Sequence, residues 1–246
     1  MKYIKWPFLT IVFSLLLITG TIFTSAVSTG FDTEILSEED IDHFLKHISL
    51  SVLTEEPIQE PIQCFDVSED EMIAIGSGKY EQKTICIYTA ESVFQYGYRF
   101  QCSGSFGIEL CKDVVTIYFV RSDVAISVDF KGNVKSVSKI KNSTENHSYW
   151  NHSVFATKKE VGNHTYTIRN DMGLFNLFAT TYSQLVVTDE RGVERVVYDV
   201  NTTQLMSTLL WVVGIVVVLI LTISIIVWQF IRLRPNILQR GNPKDL

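Results

Sequence analysis

Two stretches of the chain are apolar without a break, and the long segment between them alternates. Residues 6–27 (WPFLTIVFSLLLITGTIFTSAV) and 205–231 (LMSTLLWVVGIVVVLILTISIIVWQFI) hold no Asp, Glu, Lys or Arg. Roughly 20 apolar residues span a bilayer as a helix, because every backbone group must find its partner inside the segment there. Both stretches reach that length, so the pattern predicts a transmembrane helix near each end. In the second, Trp211 and Trp228 stand 17 positions apart, about 25 Å along a helix, which sets an indole near each membrane interface. The first stretch has a rival explanation as a cleaved signal peptide, with Lys2 and Lys5 as its basic start and Ala26 or Ser28 ending a small-residue cleavage site. Its apolar run is longer than the usual signal-peptide core, which favours a retained signal-anchor.

Between the spans the period changes twice. Ser37 precedes Glu38, Glu39 and Asp40, the arrangement of an N-cap and an acidic first turn, and Ile41, Phe44, Leu45 and Ile48 then share one helical face. A short helix is therefore expected within an acidic connector, residues 28–63, which Pro57 and Pro61 continue as extended chain. From Cys64 onward the period is two. In 94–100 (FQYGYRF), Phe94, Tyr96, Tyr98 and Phe100 fall on one face and Gln95, Gly97 and Arg99 on the other. Further strands are expected at 72–76, 84–88, 114–121, 125–130, 164–168, 184–188 and 195–200, with turn-like spacers at 68–71, 131–133 and 190–192. The pattern predicts a mainly β, antiparallel domain over 64–204.

Three hairpins inside it look alike: ICIYTAESVFQYGYRF (85–100), AISVDFKGNVKSVSKI (125–140) and LVVTDERGVERVVYDV (185–200). Each has an apolar strand, a short polar turn and a second alternating strand. Their starts lie 40 and then 60 residues apart. A period of about 40 residues is that of four-stranded propeller blades, and the additional 20 match a polar insertion at 141–160 (KNSTENHSYWNHSVFATKKE). On these residues, above all 64–100 and 104–134, the chain resembles blades of NHL- or WD-type β-propellers, with 164–200 as a degenerate third unit. It also resembles uncharacterised membrane proteins of Gram-positive bacteria, a likeness that implies no activity. Three units are too few to close a ring of the usual four to eight blades. The resemblance therefore implies an open stack of about three antiparallel blade-like meanders, with an irregular β-sandwich as the alternative.

Charge adds the topology. The tail after the second span, 232–246, carries Arg232, Arg234, Arg240 and Lys244 against Asp245, and the N-terminus, 1–5, carries Lys2 and Lys5, while the whole chain is at −6. The acidic excess thus lies between the spans, starting with Asp32, Glu34, Glu38, Glu39, Asp40 and Asp42. By the positive-inside rule both termini are cytoplasmic and the β domain is outside, in the plasma membrane of the cell. An acidic exterior argues against nucleic acid or anionic lipid headgroups as partners.

The candidate chemistry is sparse. Cys64, Cys86, Cys102 and Cys111 lie in the predicted exterior, where disulfides are permitted. Four cysteines allow three pairings, and the alternative is that Cys64 and Cys86 are small apolar core residues of strands. His43 and His47 stand four apart on the expected helix, but the segment HFLKH lacks the Glu of HExxH, so both are expected to be solvated. His147, His152 and His164 lie in or beside the polar insertion. Asn142, Asn146, Asn151, Asn163 and Asn201 each open an Asn-x-Ser/Thr motif, a glycan acceptor only in a eukaryotic or viral host; the bacterial resemblance makes them polar-loop composition instead. Ser103-Gly104-Ser105-Phe106-Gly107 lacks the GxSxG spacing. Gly76-Ser77-Gly78-Lys79 lacks that of a P-loop and reads as a turn between strands. Arg121 and Asp123 flank a turn and are expected to form a local ion pair.

No catalytic, metal or cofactor motif emerges. The expected function is a non-catalytic, membrane-anchored binding domain whose partners are the bilayer and an extracellular or envelope protein or polymer. A second copy of the chain is a further candidate, to cover exposed sheet faces. An extracellular hydrolase or metal-dependent enzyme is the alternative, and a sensor subunit of a membrane complex a second one. The topology is tested by single-cysteine variants at Ser148 and Gly192, which a membrane-impermeant thiol reagent should label in intact cells. Protection of both sites would overturn the assignment, and a mature N-terminus near Val27 would show cleavage of the first span.

Overall fold

The computed structural model describes residues 30–239, with side chains to Arg232. The first apolar stretch, 6–27, lies outside the described residues. The chain runs β1 (Thr33–Ile35), α1 (Glu38–Ile48), β2 (Ser51–Leu53), β3 (Ile62–Val67), β4 (Ile73–Lys79), β5 (Gln82–Tyr88), β6 (Phe94–Gln101), β7 (Phe106–Cys111), β8 (Val114–Phe119), β9 (Val124–Asp129) and β10 (Val134–Ile140). Then come α2 (Thr144–Tyr149), a π-helical turn (Trp150–Val154), β11 (Lys158–Val161), β12 (His164–Arg169), a 3-10 turn (Gly173–Phe178), β13 (Gln184–Thr188), β14 (Glu194–Asp199) and α3 (Asn201–Gln239). The protein is mainly β, as its alternating pattern implies.

The strands form three antiparallel sheets, ordered β2-β6-β5-β4-β3, β1-β10-β9-β8-β7 and β11-β12-β13-β14. Each is a four-strand meander. Segment 33–53, expected only to connect, adds a fifth strand to two of them, β2 beside β6 and β1 beside β10. All eight strands expected from periodicity are present, and the three similar hairpins are the last two strands of each meander.

Their turns explain the likeness. Thr89, Asp129 and Asp189 occupy equivalent places, and each side-chain oxygen accepts from the backbone N–H groups two and four residues on, at 2.8–3.4 Å. Each backbone C=O also accepts from the residue three on, namely Ser92, Gly132 and Gly192, all at positive φ. Short polar side chains that mimic a backbone turn suit this position, and glycine suits the left-handed one. Ser68 builds the same loop between β3 and β4, with Glu71 left-handed. By contrast, 76–79 is not a turn. It stays extended in β4, and the reversal falls at Tyr80–Glu81.

The β3–β6 sheet is covered on both faces. Ile85, Ile87, Tyr98 and Phe100 pack with Ile108, Ile117, Phe119 and Ile126 of the β7–β10 sheet. Phe65, Ile73, Ile75, Cys86 and Tyr88 pack with Tyr166, Ile168, Leu185 and Tyr198 of the β11–β14 sheet. Double burial is why residues 73–76 of β4 and 85–88 of β5 are unbroken apolar runs. One side chain departs from the expected face. A bulge between β5 and β6 pairs Ile87 with Tyr96 but Tyr88 with Phe94. The one-residue offset turns Phe94 away from Tyr96, Tyr98 and Phe100 and sets it edge-on to Tyr88, ring centres 5.9 Å apart.

Two accessory pieces close this body. Ser37 caps α1 as expected, accepting from the Asp40 N–H at 3.2 Å, and Phe44, Leu45 and Ile48 pack on the first core. The insertion is less polar in space than in sequence. Tyr149, Trp150, Val154 and Phe155 gather with Phe31 and Tyr118. Gly107 makes room, since a Cβ there would collide with Val154. Both Tyr118 and Tyr149 donate to the Glu109 carboxylate. Asn146 is buried and donates its amide to Asp32 O at 2.9 Å and Lys141 O at 2.7 Å, so its side chain ties α2 to β1.

Asp129 gives a test. Its carboxylate caps its own turn and meets Lys135 at 2.9 Å, and the Lys135 and Asn133 side chains hold it well below the usual carboxylate range. A depressed pKa stabilises the fold above the unfolded value of about 4 and ceases to do so as pH falls. Asp129→Ala should lower Tm at neutral pH by about 3–6 °C. The gap from wild type should narrow below pH ~4, as measured by thermal melts across pH in detergent.

Candidate functional site

β3 and β7, the first strands of two meanders, run side by side, and Lys159 of β11 reaches them from the third sheet. Between them lies a cavity of about 450 Å³ lined by Gln63, Cys64, Lys83, Gly104, Ser105, Phe106, Phe155, Ala156, Ile168, Thr180, Thr181 and Tyr182. All three sheets contribute to its wall. So does the insertion, through Phe155 and Ala156. A second cavity of about 440 Å³, between α1 and the β6–β7 link, is lined by Phe44, His47, Glu81, Cys102, Phe119 and Arg121 among others. The Cys102–Ser105 link separates the two.

Lys83 distinguishes the first cavity. It is only 5% exposed, and among the described residues no carboxylate, carbonyl or hydroxyl bonds to its ammonium. Buried lysines are normally paired. The local sequence lets it lie this way. Lys83 stands opposite Gly78 of β4, where a Cβ would meet its Cδ at 3.1 Å and where φ is +139°, a conformation only glycine takes readily. Its charge acts on the Cys64 and Cys102 thiols, but burial outweighs it and pushes both thiols up, so neither is a ready nucleophile at neutral pH.

A buried acid on β3 is fully engaged by the other two sheets. Asp66, 9% exposed, accepts the Leu110 N–H of β7 at 2.6 Å and the Lys159 ammonium of β11 at 2.7 Å. One carboxylate on β3 thereby joins all three sheets. Lys159 also lies 5.7 Å from the centre of the Phe65 ring.

The four cysteines are free thiols. Cys64 and Cys86 are core residues on opposite faces of the same sheet, so they cannot pair with each other. Burial pushes Cys86 up to about 12. Cys102 is buried in the link and Cys111 is exposed at the end of β7. His43 and His47 are exposed, with ring centres 4.3 Å apart, and His47 Nδ1 lies 2.8 Å from His43 O. His147 meets Asn142, His152 meets Ser148, and His164 meets Glu71 at 2.8 Å. No group of three metal-ligating side chains occurs among the described residues. The expected Arg121–Asp123 pair does not form; Asp123 takes a left-handed φ of 52°, and Arg121 lines the second cavity instead. Asn142, Asn151 and Asn163 are exposed, while Asn201 begins α3 and donates to Asp171 O. Sequence reasoning missed Lys83, whose one signal was a charge at a core position of an apolar strand.

Comparison with known proteins finds no matching family model, curated protein or solved structure.

The Asp66 junction predicts a graded outcome. Asp66→Ala leaves Lys159 buried without a partner and should cost about 3–5 kcal/mol. Adding Lys159→Met removes that stranded charge and should restore part of the loss, as read from denaturant melts of both variants.

Proposed function

We propose that the chain is a membrane-anchored, extracytoplasmic binding module, non-catalytic, with its β body held close against the bilayer. The observation that carries this is the junction of β14 and α3. One residue, Val200, separates Asp199 from the helix that starts at Asn201. Gln204, in the first turn, is 5% exposed and donates to Thr181 O at 3.0 Å, while Val200 N–H bonds Ser183 O at 2.8 Å. There is thus no loose tether. Residues Asn201–Arg232 are long and apolar enough to cross a membrane and none of the apolar window is buried by protein, so lipid is the solvent that suits them.

The surroundings of the junction support the same reading. The 3-10 turn carries Leu174 (85% exposed), Leu177 (85%) and Phe178 (62%). Phe178 and Trp211 line one cleft, together with Thr203, Ser207 and Lys79. The neighbouring β4–β5 turn presents Tyr80, 94% exposed. Apolar and aromatic side chains gathered at the level of an interfacial Trp are what the headgroup boundary accommodates. Three meanders whose cores are continuous through the central sheet favour the blade-like open stack over a two-sheet sandwich, and the cavity where their walls meet is the candidate ligand site. An extracellular enzyme is the second reading; the cavity wall holds Lys83 and the Ser105, Thr180 and Thr181 hydroxyls, while burial raises the Cys64 and Cys102 thiols. A sensor role would need α3 to shift with ligand, which its locked first turn opposes.

The membrane seat is tested in proteoliposomes with nitroxide labels on Leu177→Cys and, as a water-exposed control, Glu190→Cys, in a Cys111→Ser background. Leu177 should be reached by oxygen and shielded from a water-soluble nickel chelate, as a label at the headgroup level is. Equal chelate access at both sites would overturn the seat, and immobilisation without access to either reagent would put protein there instead of lipid.

A further inference from the structure

The geometry points to Lys83 as the anchor of a binding site for a small organic carboxylate in the three-sheet cavity. This rests on the domain being a binding module and names the class of its ligand. Lys83 is 5% exposed, and among the described residues its ammonium has no bonded partner in the protein, so its donors are free for a ligand. Asp66, buried on β3, is taken by Lys159 and Leu110 N. No Asp or Glu lines the cavity. The stem of Lys83 is buried while its ammonium, not one of the enclosed polar atoms, stays accessible in the cavity that the residue lines, where a ligand anion can meet it.

The lining selects among anions. Lys83 supplies one compact positive charge, with no arginine fork and no second cation in the wall, which suits a monoanion better than a phosphate dianion. Ser105 and Thr181 add hydroxyls that can share the carboxylate oxygens. Phe106, Phe155 and Ile168 make the rest of the wall apolar and suit a hydrocarbon or aromatic body. A volume of about 450 Å³ holds a small molecule and not a folded chain.

The test uses the full chain in detergent micelles with three probes, benzoate, its neutral isostere benzamide, and inorganic phosphate, followed by saturation-transfer NMR and calorimetry. Benzoate should bind saturably, and benzamide at least tenfold more weakly. Lys83→Met, which replaces the charge by an apolar side chain of similar length, should weaken benzoate at least tenfold without lowering Tm. Ala156→Leu, which fills the cavity and leaves the charge, should also abolish binding. Benzoate binding unchanged by Lys83→Met would overturn the proposal. So would lysine-dependent phosphate binding as tight as benzoate, which would replace the carboxylate class. Benzamide bound as tightly as benzoate would leave the binding module standing and remove the anion. Failure of every probe at ~10 mM, well above a millimolar Kd, would remove both.

Discussion

Asp66 stands where the edges of three sheets come together, and its carboxylate accepts from a backbone N–H of one neighbour and a lysine of the other. Each sheet alone would expose an apolar face. The β3–β6 sheet has two such faces and can be stable only with a sheet on each side. The Asp66 contacts bring the flanking sheets to the same edge, so that Phe65 and Ile75 meet one partner while Ile85 and Tyr98 meet the other. A buried ion pair is costly to break and modest in net gain. Its value here is geometric, since a charge-assisted bond has one good position whereas apolar packing tolerates several.

That arrangement leaves room at the same edge. Apolar side chains fill the spaces between sheets, yet beside the strand residues the wall around Lys83 includes a link, an insertion and the 180–182 segment, which is bridged to Ile62. Gly78 gives up a side chain so that the lysine stem can lie across β4. A short junction joins this body to the apolar helix, with Val200 the single residue between β14 and α3.

Much of the fold was legible because its signals are local. Period two marks the strands, Ser37 and its acids mark α1, and Thr89, Asp129 and Asp189 with Ser92, Gly132 and Gly192 mark one recurring turn that depends on five residues only. The face taken by Phe94 was not legible, because a bulge is a property of two strands and is written in neither alone. The insertion read as polar, since its aromatic residues, Tyr149, Trp150 and Phe155, are spaced irregularly and find Phe31 and Tyr118 only across more than 30 residues of sequence or from another sheet. Asn146 looked like a surface motif and is a buried tie.

By itself the sequence determined a chain of short antiparallel strands, a capped helix, a repeated turn and a helix over 205–231 apolar enough for a bilayer, because each follows from neighbours within a few residues. Tertiary structure alone decided the stacking order of the sheets, the partners of Asp66 and the burial of Lys83. A charge in a strand reads as solvent-facing until a second sheet covers it, and which sheet does so depends on contacts between residues far apart in the chain.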